Sequence, residues 1–328
     1  MLRIAYRPIV LLLSTMMLVG LIAARPLPAP NVSSRPGRDL PPVTRRAAAA
    51  PPGGQAARLS RAQLLRAQPG TDILTTRDVA RRAARHSAPA RPVPARIAGE
   101  GPWMPGQLVA QTERLDLYVG KGTFGADQIA GLAPKFERVL RAAEDYFGTT
   151  LKHRVSVGFY RTPPQKGVRG MAYTDQATAE VYYRPQEDLG RAVTVTMHEL
   201  GHHLESQRYG ESAQRRADTI LHEGLATWIA SVRWLDQCGA SSWRERARQL
   251  DAAGIPLRLL TAERSGADNA YELWASFVDY LTRQYGWKTF DALYTSGRGR
   301  APGSANYQRV LGKSLDDLAD EWRAWVGE

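Results

Sequence analysis

Strand-like alternation of apolar and polar residues marks the stretch from residue 114 to residue 183. RLDLYVG (114–120) and RVSVGFY (154–160) both alternate with a period of two, which predicts two strands with one face buried. GMAYTDQATAEVYY (170–183) predicts two shorter strands joined by a turn at Asp175 and Gln176.

Helical spacing of apolar residues begins at residues 126–147, where Gly148 is expected to end the helix. After residue 190 the helical period dominates. Strands followed by helices predict an α+β fold, a small and mostly antiparallel sheet followed by a helical subdomain. The further predicted helices span roughly 190–208, 213–235, 243–252, 269–285, 287–295 and 314–326.

The first residues have the order of a secretory signal. Arg3 and Arg7 precede an uncharged apolar run that ends in small residues before Arg25. The run is long for a signal and short for a spanning helix, so residues 1–24 are predicted to be either a signal peptide or a signal anchor. Either outcome predicts an exported protein that is secreted, periplasmic or anchored to the membrane.

Residues 25–101 are rich in Pro, Ala and Arg and contain no aromatic residue. Such a composition cannot bury enough apolar surface to offset its ordering entropy, so a disordered linker is predicted there. The remaining segment, 102–328, is predicted to be the folded domain. The linker could be a solvated spacer, an inhibitory prosegment, or a basic tail that contacts an anionic membrane or cell-wall polymer.

The net charge of +12 lies in this N-terminal part of the chain. Residues 1–101 hold 16 arginines, no lysine and four acidic residues, which leaves 28 basic and 28 acidic side chains in the rest. A neutral folded domain lacks the basic surface that nucleic-acid binding requires. We therefore expect no nucleic-acid partner.

Candidate chemistry is concentrated in TMHELGHHLE (196–205), which holds three of the six histidines. His198 and His202 are four residues apart, on one face of a helix and about 5.4 Å apart along its axis, so both imidazoles can converge on Zn²⁺. Glu199 is rotated away from that face but can reach a water beside the metal. This H-E-x-x-H arrangement uses the glutamate as general base.

A catalytic zinc ion needs a third protein ligand. One extended pattern would require His at position 208, where the chain has Arg208. The alternative is Glu223 in LHEGLATWIA, because RYGES breaks the first helix and lets the next one run back beside it. Gly224 is expected to let these two helices approach closely, while His222 is a weaker competitor that points away from Glu223.

HELGH followed by HEGLATW resembles the gluzincin branch of zinc metallopeptidases, and more narrowly the peptidase MA-like domains. TERLDLYV is similar to the opening strand of those domains, and YGWKTFDALY and VLGKSLDDLADEWRAWV are similar to their closing helices. The resemblance covers roughly residues 110–328. It implies a zincin-like fold in which His198, His202 and Glu223 bind Zn²⁺ and Glu199 is the base.

The resemblance implies further site residues. Tyr271 in YELWASFVDYL stands where aminopeptidase-type members carry a tyrosine that stabilises the transition state, with Tyr280 as the alternative. Thermolysin-like members pair an edge strand with the substrate backbone. GMAY stands at the matching place, which makes Met171, Ala172 and Tyr173 the candidate substrate-binding residues.

The chain also departs from the family. Thermolysin-like enzymes have an aspartate four residues after the ligand glutamate, where this chain has Thr227, and they use a later histidine as oxyanion donor, whereas no histidine follows His222. The glutamate motif with which aminopeptidases bind the substrate N-terminus is absent. The expected activity is therefore that of a zinc-dependent endopeptidase acting on protein or peptide substrates.

Two other functions stay open at the level of sequence. The domain could be a non-catalytic, zinc-containing, peptidase-like binding module of the cell envelope. It could also be a metal-free envelope protein in which the histidine motif is accidental. Metal content and peptide hydrolysis distinguish the three.

Overall fold

The computed structural model describes residues 101–328, except Phe124, residues 184–186 and residues 263–268. The predicted signal segment and, apart from Gly101, the predicted linker lie outside the described residues. Within the described part, no helix is both long enough and apolar enough to cross a membrane. The strands are β1 Gln107–Gln111, β2 Leu115–Val119, β3 Val155–Tyr160, β4 Gly170–Tyr173 and β5 Thr178–Tyr182.

Ten helices occur among the described residues, and most of them follow the last strand. They are α1 Ala126–Phe147, α2 Leu189–Tyr209, α3 Glu211–Arg216, α4 Thr219–Ile229, α5 Ser231–Gln237, α6 Trp243–Ala252, α7 Leu259–Ala262, α8 Asn269–Thr295, α9 Tyr307–Leu311 and α10 Leu315–Gly327. This order confirms the predicted α+β class, a small sheet followed by a helical region.

The sheet has five strands in the order β1-β2-β3-β5-β4. It is mixed rather than mostly antiparallel, because β2 pairs parallel with β3 and β3 pairs parallel with β5. Only the outer pairs, β1 with β2 and β4 with β5, are antiparallel. The physical reason is that α1 carries the chain back across the sheet between β2 and β3, so that both strands run in the same direction. Alternation in the sequence locates strands but does not choose their partners.

Two helices pack against the sheet, one towards each of its edge strands. α1 contacts β1 and β2, and α2 contacts β4 and β5. The core between them is apolar: Leu115, Leu117, Phe136 and Phe159 are fully buried, and the two phenyl rings have centroids 5.7 Å apart. α1 ends where Gly148 adopts a φ of 67°, the left-handed conformation expected of a glycine at a helix end.

α4 lies between α2 and α8, and a glycine lies at each contact. A Cβ on Gly201 of α2 would lie 3.0 Å from Ala226 Cα and its carbonyl oxygen in α4. A Cβ on Gly224 would lie 2.8 Å from the Trp274 carbonyl oxygen in α8. The expectation that Gly224 lets α2 and α4 approach is therefore wrong, since Gly201 has that role and Gly224 faces α8.

The single helix predicted over 213–235 is three helices, α3, α4 and α5. Ala217 is extended, with a ψ of 143°, and the Asp218 carboxylate accepts the Ile220 N–H to start α4. The same carboxylate accepts the Tyr307 hydroxyl, a contact 89 residues away that sequence spacing does not reveal. The predicted break near residue 286 is confirmed, because Gly286 has a φ of 76° inside α8.

Candidate metal centre and active-site cleft

Three predicted ligands meet at one point. Glu223 Oε2 lies 3.2 Å from His198 Nε2 and 3.5 Å from His202 Nε2. Ligand atoms 2.0–2.1 Å from a tetrahedral zinc ion are about 3.3 Å from one another, so these separations match the edge of such a site. Two imidazole nitrogens and one carboxylate oxygen are donors that a metal can use, and the buried histidines with the half-buried Glu223 could hold a metal ion.

The two helices bring the ligands together with little exposure. His198 and His202 are 8% and 7% exposed, and their rings meet edge to face with centroids 4.8 Å apart. Burial alone would raise the pKa of the Glu223 carboxyl, but the neighbouring His202 and His198 hold it well below its ordinary value. The carboxylate is therefore ionised, as a metal ligand must be.

Glu199 lies beside the ligands but is not one of them. It is buried, and its carboxylate packs against Gly170 in β4, where a Cβ would overlap its Oε1, Cδ and Cγ atoms. Burial raises the pKa of this carboxyl, and His198 and His202 oppose the shift. Glycine at position 170 is thus what leaves room for the glutamate side chain.

The ligands lie in a cleft of about 380 Å³ with β4 along one wall. Met171, Ala172 and Tyr173 all line this cleft and are half-buried. β4 is the last strand of the sheet and pairs only with β5 among the described strands, so its other edge can accept an extended peptide. The rest of the lining is polar: Thr174, Asp175, Glu211, Gln214, Arg215 and Arg300.

Tyr271 is placed in the cleft, and Tyr280 is not. The Tyr271 ring meets the His198 ring edge to face, with centroids 5.4 Å apart, and lines the cleft. Tyr280 is buried, and its hydroxyl donates to Glu321 at 2.9 Å in the C-terminal helix. Of the two tyrosines, only Tyr271 could meet a ligand in the cleft.

Thr227 contacts the first ligand. Its Oγ1 lies 3.2 Å from His198 Nδ1, on the side of the ring away from Glu223. The position at which this chain departs from the thermolysin-like pattern therefore still holds His198 by a hydrogen bond, with a neutral acceptor in place of a carboxylate.

His202, the second predicted ligand, contacts Glu205 and His222, and the sequence assigned neither of them to the metal site. Glu205 is fully buried and its Oε2 lies 3.2 Å from His202 Nδ1 and 2.7 Å from His222 Nδ1. The expectation that His222 points away from Glu223 is wrong, because its ring stacks on His202 with centroids 4.2 Å apart, lines the cleft and places Nε2 4.0 Å from Glu223 Oε1. The physical reason is that the close approach of α2 and α4 brings His222 within hydrogen-bond range of Glu205.

Burial alone would raise the pKa of the Glu205 carboxyl, but His222 and His202 outweigh it and lower the pKa to about 2. One sequence signal could have identified this residue. Glu205 follows His202 by three residues, which puts both on one face of α2.

His203, the third histidine of α2, contacts the sheet instead of the predicted ligands. It is buried, and its Nε2 donates to the Thr178 carbonyl in β5 at 3.0 Å. Burial lowers its pKa to about 4, so the ring is neutral. This bond joins α2 to β5, the strand that pairs with the edge strand β4.

No family model matches this chain, and no curated protein matches it either.

Proposed function

We propose that residues 102–328 form a zinc-dependent endopeptidase of the gluzincin type, similar to the peptidase MA-like domains. The observation that supports this most strongly is the spacing of Glu223 Oε2 from the two imidazoles, 3.2 and 3.5 Å, which matches a tetrahedral ligand edge. A carboxylate that is not a ligand, Glu199, lies on the same helix beside them.

His198, His202 and Glu223 would hold the zinc ion in the cleft. When bound, zinc supplies a Lewis acid that polarises a carbonyl and lowers the pKa of a coordinated water to about 7. Three protein ligands and one open position are typical of catalytic rather than structural zinc sites.

Glu199 acts as the general base. Its raised pKa brings it closer to the pH at which it must both accept and release a proton. It takes a proton from the attacking water and later passes that proton to the leaving amine. Gly170 keeps the carboxylate at the wall along which the substrate lies.

The edge strand and Tyr271 position the substrate. Backbone groups of Met171, Ala172 and Tyr173 pair with an extended peptide, which orients the scissile carbonyl towards His198. The Tyr271 hydroxyl donates a hydrogen bond to the oxyanion that forms when water attacks. A peptide that crosses an open cleft in this way is cleaved internally.

The partners and location belong to the same proposal. The substrate is an exported or surface protein or peptide, and the neutral charge of residues 102–328 argues against a nucleic-acid partner. The protein is exported, and the basic tail contacts the membrane surface or an anionic wall polymer.

The decisive experiment compares zinc content and casein hydrolysis in four full-length proteins: wild type, Glu199→Gln, Glu223→Ala and the control Glu211→Ala. Glu199→Gln is expected to keep one zinc ion and lose at least 100-fold in kcat. Glu223→Ala is expected to lose both zinc and activity. Glu211 lines the same cleft outside the ligand set, so its variant keeps zinc.

Full activity of Glu199→Gln would contradict the mechanism, and full zinc content of Glu223→Ala would contradict the ligand set. A wild type that holds zinc but cleaves nothing in a broad peptide library would identify the non-catalytic binding module instead. A wild type that takes up no zinc would point to the metal-free alternative.

A further inference from the structure

Glu205 is the acceptor at the centre of a buried cluster behind the metal centre. Its Oε2 lies 2.7 Å from His222 Nδ1, 3.2 Å from His202 Nδ1 and 3.0 Å from the Tyr294 hydroxyl. Glu205 and Tyr294 are fully buried, and both imidazoles are almost so. Because Gln214 Nε2 also lies 3.5 Å from this oxygen, four donors from four helices meet at one carboxylate oxygen.

The chemistry of that oxygen determines where each histidine carries its proton. An ionised carboxylate only accepts hydrogen bonds, so both Nδ1 atoms must be donors. In the metal-bound state, in which an imidazole ligand is neutral, the Nε2 atom is then left with a lone pair. His202 Nε2 lies 3.5 Å from Glu223 Oε2, and His222 Nε2 lies 4.0 Å from Glu223 Oε1, so both lone pairs face the metal centre.

The contacts with Glu205 also set the orientation of the His202 and His222 rings. The His222 ring stacks on the His202 ring with an interplanar angle of 25°, and Glu205 Oε2 contacts the Nδ1 atom of each ring. The Tyr294 hydroxyl, which donates to Glu205, also lies 3.2 Å from His222 Nδ1. Among the described residues, His198 Nδ1 is contacted by Thr227 Oγ1 rather than by a carboxylate.

We propose that Glu205, supported by Tyr294, is a positioning residue that fixes the Nδ1–H tautomer and the ring orientation of His202 and of the stacked His222, and so presents His202 Nε2 to the metal. The inference rests on the proposed zinc site but makes a separate claim about where the protons lie. The two histidine ligands are thus held unequally, His202 by a buried charge and His198 by a neutral hydroxyl.

The first test is zinc affinity, measured in the full-length protein by competition with a chromophoric chelator. Glu205→Gln keeps the shape and removes the charge, so the zinc Kd is expected to rise about 10- to 100-fold. Tyr294→Phe removes one neutral donor and is expected to raise Kd about 2- to 10-fold. Tyr307→Phe is the matched control, since its hydroxyl donates to buried Asp218 outside the cleft, and its Kd is expected to stay unchanged.

Equal zinc affinity in wild type and Glu205→Gln would overturn the inference while leaving the zinc site intact. Absence of zinc binding in wild type would instead overturn the proposed function. If Glu205→Gln does not fold, Tyr294→Phe decides: a Kd indistinguishable from that of Tyr307→Phe overturns the inference.

The second test does not depend on zinc. The ¹⁵N spectrum of histidine-labelled protein reports which ring nitrogen is protonated, and the His222 signals are assigned by comparison with His222→Gln. His222 is expected to carry its proton on Nδ1. A wild-type spectrum with the proton on Nε2 of His222 alone overturns the inference, whether or not zinc binds.

Discussion

At the scale of residues, the presence or absence of one atom determines which side chains fit beside the predicted ligands. Glu199 reaches its place because residue 170 has no Cβ, and Thr227 holds His198 although the sequence departs from the thermolysin-like pattern there. The sequence predicted His198, Glu199 and His202 from their spacing, because positions one helical turn apart must share a face. It could not predict that Glu205 and His222 support His202, since their contact spans two helices.

Replacing Tyr271 by phenylalanine tests the proposed oxyanion donor. Loss of one such donor is expected to lower kcat about 100-fold or more, with zinc content unchanged. The measurement is steady-state hydrolysis of a peptide substrate, with Tyr280→Phe as the control because its hydroxyl contacts Glu321 outside the cleft. Equal kcat values in the two variants would leave Tyr271 as a packing residue.

Gly170→Ala tests the placement of the base. The new Cβ would overlap the flexible end of Glu199, which moves the carboxylate and leaves the backbone in place. A misplacement of about 1 Å is expected to cost roughly 100-fold in kcat. Zinc content and thermal stability should remain near those of wild type; a variant with wild-type kcat would show that the position of the Glu199 carboxylate is not critical.

At the scale of elements, the decisive feature is the packing of α4 between α2 and α8. Glu223 meets the histidines only because Gly201 lets the two helices approach at Ala226. The sequence predicted two adjacent helices but assigned the close contact to Gly224, because an antiparallel pair can be aligned in several rotations and only the full packing selects one.

Gly201→Ala is therefore expected to destabilise the domain. The added methyl group would lie 3.0 Å from backbone atoms of Ala226, and relief of such overpacking costs about 1–3 kcal/mol. Urea unfolding measures the effect, and zinc affinity should fall with it. The control is Gly131→Ala in α1, where a Cβ meets nothing within 4 Å and stability should rise by about 0.5–1 kcal/mol. Unchanged stability in Gly201→Ala would mean that the helix contact can relax.

At the scale of the molecule, the proposed site joins two parts of the fold. α2 contributes two ligands and contacts the sheet, while α4 contributes the third and packs on α8. A metal ion held by both helices would bind the folded state and not the unfolded chain, so it would stabilise the whole domain by mass action.

Chelation is expected to lower the thermal midpoint. Free zinc at about 1,000 times Kd adds about 4 kcal/mol, which is roughly 10 °C for a domain of this size. Differential scanning calorimetry with and without a chelator measures the shift, and added zinc should reverse it. Glu223→Ala should show no shift; an equal shift in that variant would indicate a zinc site elsewhere.

The sequence by itself determined the α+β class, most element positions and the residues of the histidine motif, because each follows from local periodicity, spacing and glycine chemistry. Tertiary structure decided the mixed pairing of the sheet, the division of the segment 213–235 into three helices, and the ring of groups around His202. These depend on contacts between residues distant in the chain, such as Asp218 with Tyr307 and Glu205 with His222. The local sequence pattern determines which face of a helix or strand is apolar. Which other element covers that face depends on the packing of the whole domain.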